Sequence, residues 1–304
     1  MDWSSSWSTT SPTYVPTVTH SQITANTESQ RDCTSEFPTG ELTLSSNGAA
    51  RYEFFLANIT AIISSPSYRH LTFAVILEPS LMSNTLQSVR DQHPRCAAAA
   101  EQQHDLLSTA LSAFMNVQRN GVNIAIYVDL DNSLTLGKNG VDLDEVLYYL
   151  QGVVYSSHFE AQTRVRGVAL NVRGYNPLTA GEEKDGAYAD DAAVWSEGMF
   201  IEALLPHMHN YYLDFMNNFL VDQGLAGKGG LRGKGEKGCN VKGAGSGVRP
   251  GKVQGVKHVD SAVWVGRPGV SQGTCGGGPE EGVWWNEYAK ELVRNAVPEI
   301  EPLV

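Results

Sequence analysis

No run of about 18 or more apolar residues occurs in this chain, so no segment reads as a membrane-spanning helix. Charge is scarce as well: only 18% of the 304 residues are Asp, Glu, Lys or Arg. Basic residues are in deficit, with 22 Lys and Arg against 33 Asp and Glu, a net charge of −11. A molecule of that sign repels polyphosphates, which argues against a nucleic-acid partner. Cysteine is limited to Cys33, Cys96, Cys239 and Cys275, widely spaced and never as Cys-x-x-Cys, so no zinc site is expected. The start, Met1-Asp2-Trp3, lacks the basic and apolar segments of a secretory leader.

What is present describes a packed globule. Apolar residues make up 41%, with six Trp, twelve Tyr and nine Phe, too much for a disordered chain. In a low-charge, Ser/Thr-rich chain the four cysteines read as two disulfides, which implies an oxidising compartment. Asn58-Ile-Thr60 is an N-glycosylation acceptor that fits the same route. The expectation is a secreted protein whose leader is not part of this sequence. Residues 1–26 hold six Ser and six Thr with Pro12 and Pro16, and read as a flexible linker ahead of a domain at 27–304.

From residue 47 short apolar runs alternate with helical periodicity. Ala49–Ser64 reads as a helix with Phe54, Phe55, Ile59, Ile62 and Ile63 as its apolar residues, and Leu71–Leu77 as a buried strand. A helix around Ala97–Gln118, a strand Asn123–Asp129 and a helix Val141–Val154 follow, the last with Asp142 and Asp144 at its positive end. Then come a strand from Gly167, a helix Met199–Met216, a strand-like segment ending at Asp222, a strand Val259–Val265 and a helix Glu280–Ala296. Such alternation predicts an α/β fold with a parallel sheet covered on both faces. Polar residues stand where the strands end, namely Asp129, Asn171, Asp222 and Arg267, the rim on which closed α/β barrels carry their chemistry. An open doubly wound sheet is the second choice.

Two local patterns are set aside. Twelve glycines lie between Gly224 and Gly255, but Gly229-Gly-Leu-Arg-Gly-Lys234 has neither Walker spacing nor a Ser/Thr after its Lys, so a surface loop is expected. His207-Met-His209 suggests a metal pair only on a strand. On the helix read here, its two imidazoles do not face one ion. No metal and no cofactor is expected.

A set of collinear strings resembles glycoside hydrolase family 6, the cellobiohydrolases and endoglucanases of β-1,4-glucans. They include Arg31-Asp-Cys33, Gly40-Glu-Leu42, Ser46-Asn-Gly48, Val75-Ile76, Ser80-Leu81 and Tyr127-Val-Asp129. Further along come Leu170-Asn-Val172, Tyr175-Asn176, Ile201-Glu-Ala-Leu-Leu-Pro206, Val221-Asp222 and Cys239-Asn240. The last are Gly245-Ser-Gly-Val-Arg-Pro250, Val263-Trp-Val265 and Gly273-Thr274. The resemblance runs from about residue 30 to residue 296. It implies a distorted (β/α) barrel, a single domain with a cleft across the strand ends, and the pairs Cys33–Cys96 and Cys239–Cys275. It also implies inverting chemistry, in which one carboxyl protonates the leaving oxygen while a second directs water.

At the positions that would carry this chemistry the chain departs from the family. The acid belongs to an Ile-Glu-Pro-Asp-Ser string, which reads Ile76-Leu-Glu-Pro-Ser80 here, leaving Glu78 as the nearby carboxyl. The string that supplies the proposed base, Glu-Ser-Asp-Gly-Thr, reads Val270-Ser-Gln-Gly-Thr274, and Gln272 accepts no proton at neutral pH. Lys-Pro-Gly has become Arg267-Pro-Gly269. Thr135, Lys138 and Gly238 stand where Trp platforms are expected, and Asn26 where a Tyr is. By the same resemblance Asp32 matches the residue that tunes the acid and Asp129 a cleft-floor carboxylate, while Asn171, Asp222 and Trp264 match other cleft residues. The structural alternative is that strand-end Asp residues cap helices and tie loops, and that Trp264 fills the barrel. Cys275 directly follows Gly273-Thr274, where the family inserts a longer lid, which implies an open groove.

The candidate residual carboxyls are therefore Asp32, Glu78 and Asp129, with Asn171, Asp222, Trp264, Arg267 and Gln272 as candidate ligand contacts. The expectation is a monomer in which ordinary glucan hydrolysis is absent or very weak and the cleft binds, or transforms, a small non-glucan molecule. The alternatives are a non-catalytic polysaccharide- or protein-binding protein, and a weak endoglucanase that uses Glu78.

Overall fold

Phe73-Ala-Val-Ile-Leu77, aromatic and β-branched, is the kind of run that pays for a pleated and covered position, and it forms a strand whose residues are buried apart from half-buried Ala74. The computed structural model that contains it describes residues 25–26, 42–43, 46–71, 73–78, 81–82, 85–86, 91, 94–130, 143–156, 165–170, 194, 196–221, 240–241, 275–276 and 290. In chain order the elements are β1 (Ala25–Asn26), β2 (Leu42–Thr43), α1 (Ser46–Ile63), β3 (Phe73–Leu77), α2 (Pro94–Arg119) and β4 (Ile124–Asp129). Then follow α3 (Leu143–Ser156), β5 (Val165–Leu170), α4 (Glu197–Asn210), β6 (Phe219–Val221), β7 (Asn240–Val241) and β8 (Cys275–Gly276). Strands alternating with helices make this the expected α/β class.

The chain divides into two compact bodies, each assembled from three stretches. The first comprises Met1–Leu130, Val141–Val168 and Leu205–Asn218, and the second 131–140, Ala169–Leu204 and Phe219–Val304. In the first body β1 and β2 pair in parallel, Ala25 opposite Leu42 and Asn26 opposite Thr43. Ala25 and Asn26 are the last two residues of the stretch read as a linker. Strands β3, β4 and β5 follow one another in the main sheet, with β3 parallel to β4 from Phe73 opposite Ile124 to Leu77 opposite Val128. Helix α2 packs on α1, on α3 and on the strands beneath. In the second body the end of β5, Ala169–Leu170, is followed in strand order by β6, and β7 pairs antiparallel with β8.

Helix boundaries follow local chemistry. Pro94 opens α2, where its missing N–H costs nothing. Helix α2 closes on Gly121, whose φ of +87° allows the left-handed turn in which Val122 N–H reaches Val117 O. Asp144 and Glu145 sit in the first turn of α3, at the positive end of its dipole. Ser196 caps α4, its Oγ accepting from Met199 N–H at 3.3 Å. Predicted as one helix to Met216, α4 ends at Asn210 and is followed by a separate 3-10 turn, Asp214–Met216.

The buried face of α1 includes Ile63 of the expected apolar residues but not Phe54 or Ile62. Tyr52, Leu56 and Ile63 are buried, while Phe54 is 71% and Ile62 58% exposed. At about 100° per residue, 52, 56 and 63 share one stripe from which residue 54 is turned away. The predicted strand at 259–265, the predicted helix at 280–296 apart from residue 290, and most of the glycine-rich stretch lie outside the described residues.

Candidate functional site

The strand β3 delivers Glu78 to its C-terminal end. There the backbone leaves the extended region, with φ at +41°, and turns at once, Leu81 N–H bonding to Glu78 O at 3.0 Å. A non-glycine residue in this region is strained, so its position is over-determined by its surroundings. One such contact is explicit: Tyr52 of α1 donates its hydroxyl to Glu78 Oε1 at 2.7 Å. Tyr52 is fully buried and Glu78 is 7% exposed. Burial, then the charge of Glu78, then this hydrogen bond hold the Tyr52 hydroxyl well above its usual pKa, so it remains a donor.

Asp129 ends β4 and is also buried. The register of the two strands runs to Leu77 opposite Val128, Glu78 directly follows the first strand and Asp129 is the last residue of the second. Backbones in neighbouring strands lie about 5 Å apart. Two buried carboxyl residues thus share the C-terminal edge of a parallel strand pair, where chemistry resides in α/β folds. Of the residues expected at the site, Glu78 and Asp129 are the two among the described residues. Asp32, Asn171, Asp222, Trp264, Arg267 and Gln272 lie outside the described residues, as do Pro79 and Ser80. Tyr52 was missed by sequence reasoning, since a tyrosine on an amphipathic helix carries no sign of the strand end it will meet.

Other expectations can be placed. Cys96 is fully buried and disulfide-bonded, and its predicted partner Cys33 lies outside the described residues. Cys275 begins β8 beside the strand that Asn240 begins, and Cys239 itself lies outside the described residues. Asn58 is exposed on α1, with the Thr60 hydroxyl of its acceptor triplet bonded back to Leu56 O at 2.8 Å. His207 and His209 are on helix α4, and each meets its own carboxylate, Asp144 and Asp214, at 3.1 Å. Among the described residues no group of three or more His, Cys, Asp or Glu is placed to hold a metal ion, and no helix is long and apolar enough to cross a membrane.

Comparison with known proteins gives this edge its context. The family model for glycosyl hydrolases family 6 matches residues 17–296, and the chain belongs to that family. It is 31% identical over 276 residues to the 1,4-beta-D-glucan cellobiohydrolase CEL6B of Podospora anserina, covering 89% of this chain and 62% of that protein. It is 30% identical over 275 residues to Endoglucanase-6B of Humicola insolens, covering 89% of this chain and 74% of that protein. Among solved structures it resembles CcCel6C, a family 6 enzyme from Coprinopsis cinerea, at a TM-score of 0.65 and 26% identity, covering 92% of this chain and 77% of that one. Cellobiohydrolase II from Humicola insolens, solved with glucose and cellotetraose, matches at 0.64 and 25%, covering 91% of this chain and 77% of that one. The chain spans about three fifths of the length of several of its curated relatives.

Proposed function

We propose that glucan hydrolysis by the inverting route is absent or very weak in this chain, and that its strand-end cleft binds a small non-glucan molecule. The observation that carries this reading is the bond from Tyr52 to Glu78. Glu78 is the carboxyl at the strand end where the family keeps its acid, and it is buried with one oxygen engaged by a tyrosine from α1. A proton donor has to reach the leaving oxygen, and a carboxyl committed to the interior does not. The departures at Pro79 and Gln272, and the loss of Trp at 135, 138 and 238, point the same way. A positioned general acid contributes about 10²–10⁴-fold, so its loss together with the base leaves turnover near background. We further assign Cys96 to Cys33 and Cys239 to Cys275, and place the protein outside the cell as a monomer.

A second reading, a weak endoglucanase, is favoured by one observation: Glu78 and Asp129, both buried, stand at the same ends of adjacent parallel strands. Both readings are tested by reducing-end release from soluble β-1,4-glucan, with wild type, Glu78→Gln and Asp129→Asn. The expected result is no rate above buffer in any of the three. A measurable wild-type rate that Glu78→Gln abolishes would replace the first reading with the second.

A further inference from the structure

On the first body, sharing no residue with the strand-end pair, lies a groove of about 980 Å³. It is lined by α2, by α3 and by the turn that follows α4, and Tyr148, Tyr149, Tyr155, Tyr212 and Phe215 make it aromatic. Tyr148 is 64% and Tyr212 73% exposed. Tyr148 stands edge-on to Tyr149, with ring centroids 5.9 Å apart and planes at 72°.

The backbone at Tyr212 is the informative feature. Leu213 N–H bonds to Met208 O at 3.0 Å and Tyr212 N–H to His209 O at 3.1 Å, the bond pair that closes a helix with a left-handed residue. Tyr212 occupies that left-handed position at φ +57°, where α2 uses Gly121. A bulky residue is strained there, and its mostly exposed ring recovers little by burial. The turn is nonetheless fastened from α3, since Tyr155 donates to Tyr212 O at 3.0 Å and Gln151 Nε2 to Tyr211 O at 2.9 Å. The arrangement fastens the backbone that carries the exposed Tyr212 ring.

The rest of the lining selects the ligand class. No Lys or Arg is among the described lining residues, so none of them offers a fixed positive charge to phosphate or carboxylate. His104, Gln151 and Asp214 offer donors and acceptors suited to hydroxyl groups. Flat, electron-rich ring faces with polar neighbours match a ligand that has C–H faces and a hydroxyl rim, which describes an all-equatorial pyranose chain. We propose that this groove is a separate saccharide-binding site, in which Tyr148 and Tyr212 stack the pyranose rings of a neutral β-linked glucan without cleaving it. The site is independent of the strand-end cleft and holds whether or not that cleft binds anything.

Cellotetraose titrated into the full chain by calorimetry tests this, with Tyr148→Ala and Tyr212→Gly beside wild type. Each change should weaken binding by about 3- to 10-fold, the scale of one aromatic contact. Tyr212→Gly should do so without lowering the melting midpoint, because glycine suits that backbone. Absence of wild-type binding overturns the proposal. So does affinity unchanged in both variants, which assigns the sugar to another site. A concentration-dependent dimer in sedimentation that Tyr148→Ala dissolves also overturns it, because the groove is then a contact between chains.

Discussion

Tyr52 and Glu78 show how a single hydrogen bond can decide between chemistry and structure. If the pair is structural, Tyr52→Phe removes a donor from a buried carboxyl and should cost about 1–3 kcal/mol, read from the urea midpoint at neutral pH. The pair also has a pH signature. Tyr52 keeps its proton beyond the usual 10.0 when folded, so the unfolded chain releases it first. Its contribution is complete below that value and declines as pH rises toward the higher folded value. Wild type should therefore lose stability more steeply than Tyr52→Phe between about pH 10 and 11, followed by denaturant titration at each pH. At this scale the sequence exposed half of the pair. Glu78 was found because a family string names its neighbourhood, whereas Tyr52 is 26 residues away and only packing joins the two.

Elements were legible where their hydrophobic pattern was local. Leu71–Leu77 and Asn123–Asp129 read as strands because their apolar runs are continuous, and they emerge as β3 and β4. The end of α4 was not legible: the usual stop signal is a glycine, and Tyr212 fills that place. The pairing after it was equally hidden. Val168 N–H bonds to Asn218 O at 3.1 Å while Asn218 Nδ2 donates to Arg166 O at 3.1 Å, so the backbone of β5 lies hard against residue 218. A Cβ on Gly167 would stand 1.8 Å from Asn218 O, far inside contact distance. Gly167→Ala should therefore force the strand aside and cost about 1–3 kcal/mol, visible as a lower melting midpoint. A fold tolerant of that change would mean that β5 and residue 218 are not locked as described.

For the whole molecule, composition excluded more than it identified. A charge of −11 and scattered cysteines argue against polyanion partners and a zinc site, while the collinear strings carried the family. The proposed loss of the reaction rests on the departures at Pro79 and Gln272, at the strings that resemble the family's acid and base. Global stability has one cross-link in view, at Cys96. Reduction with dithiothreitol should lower unfolding stability by about 2–4 kcal/mol, measured as a shift in urea midpoint against the oxidised protein. The two bodies carry a consequence for biosynthesis. Since the first takes its last stretch from Leu205–Asn218, it stays incomplete on the ribosome until residue 218 has emerged. The nascent chain must carry its unfinished hydrophobic surface for some two hundred codons, and no single proteolytic cut releases either half intact.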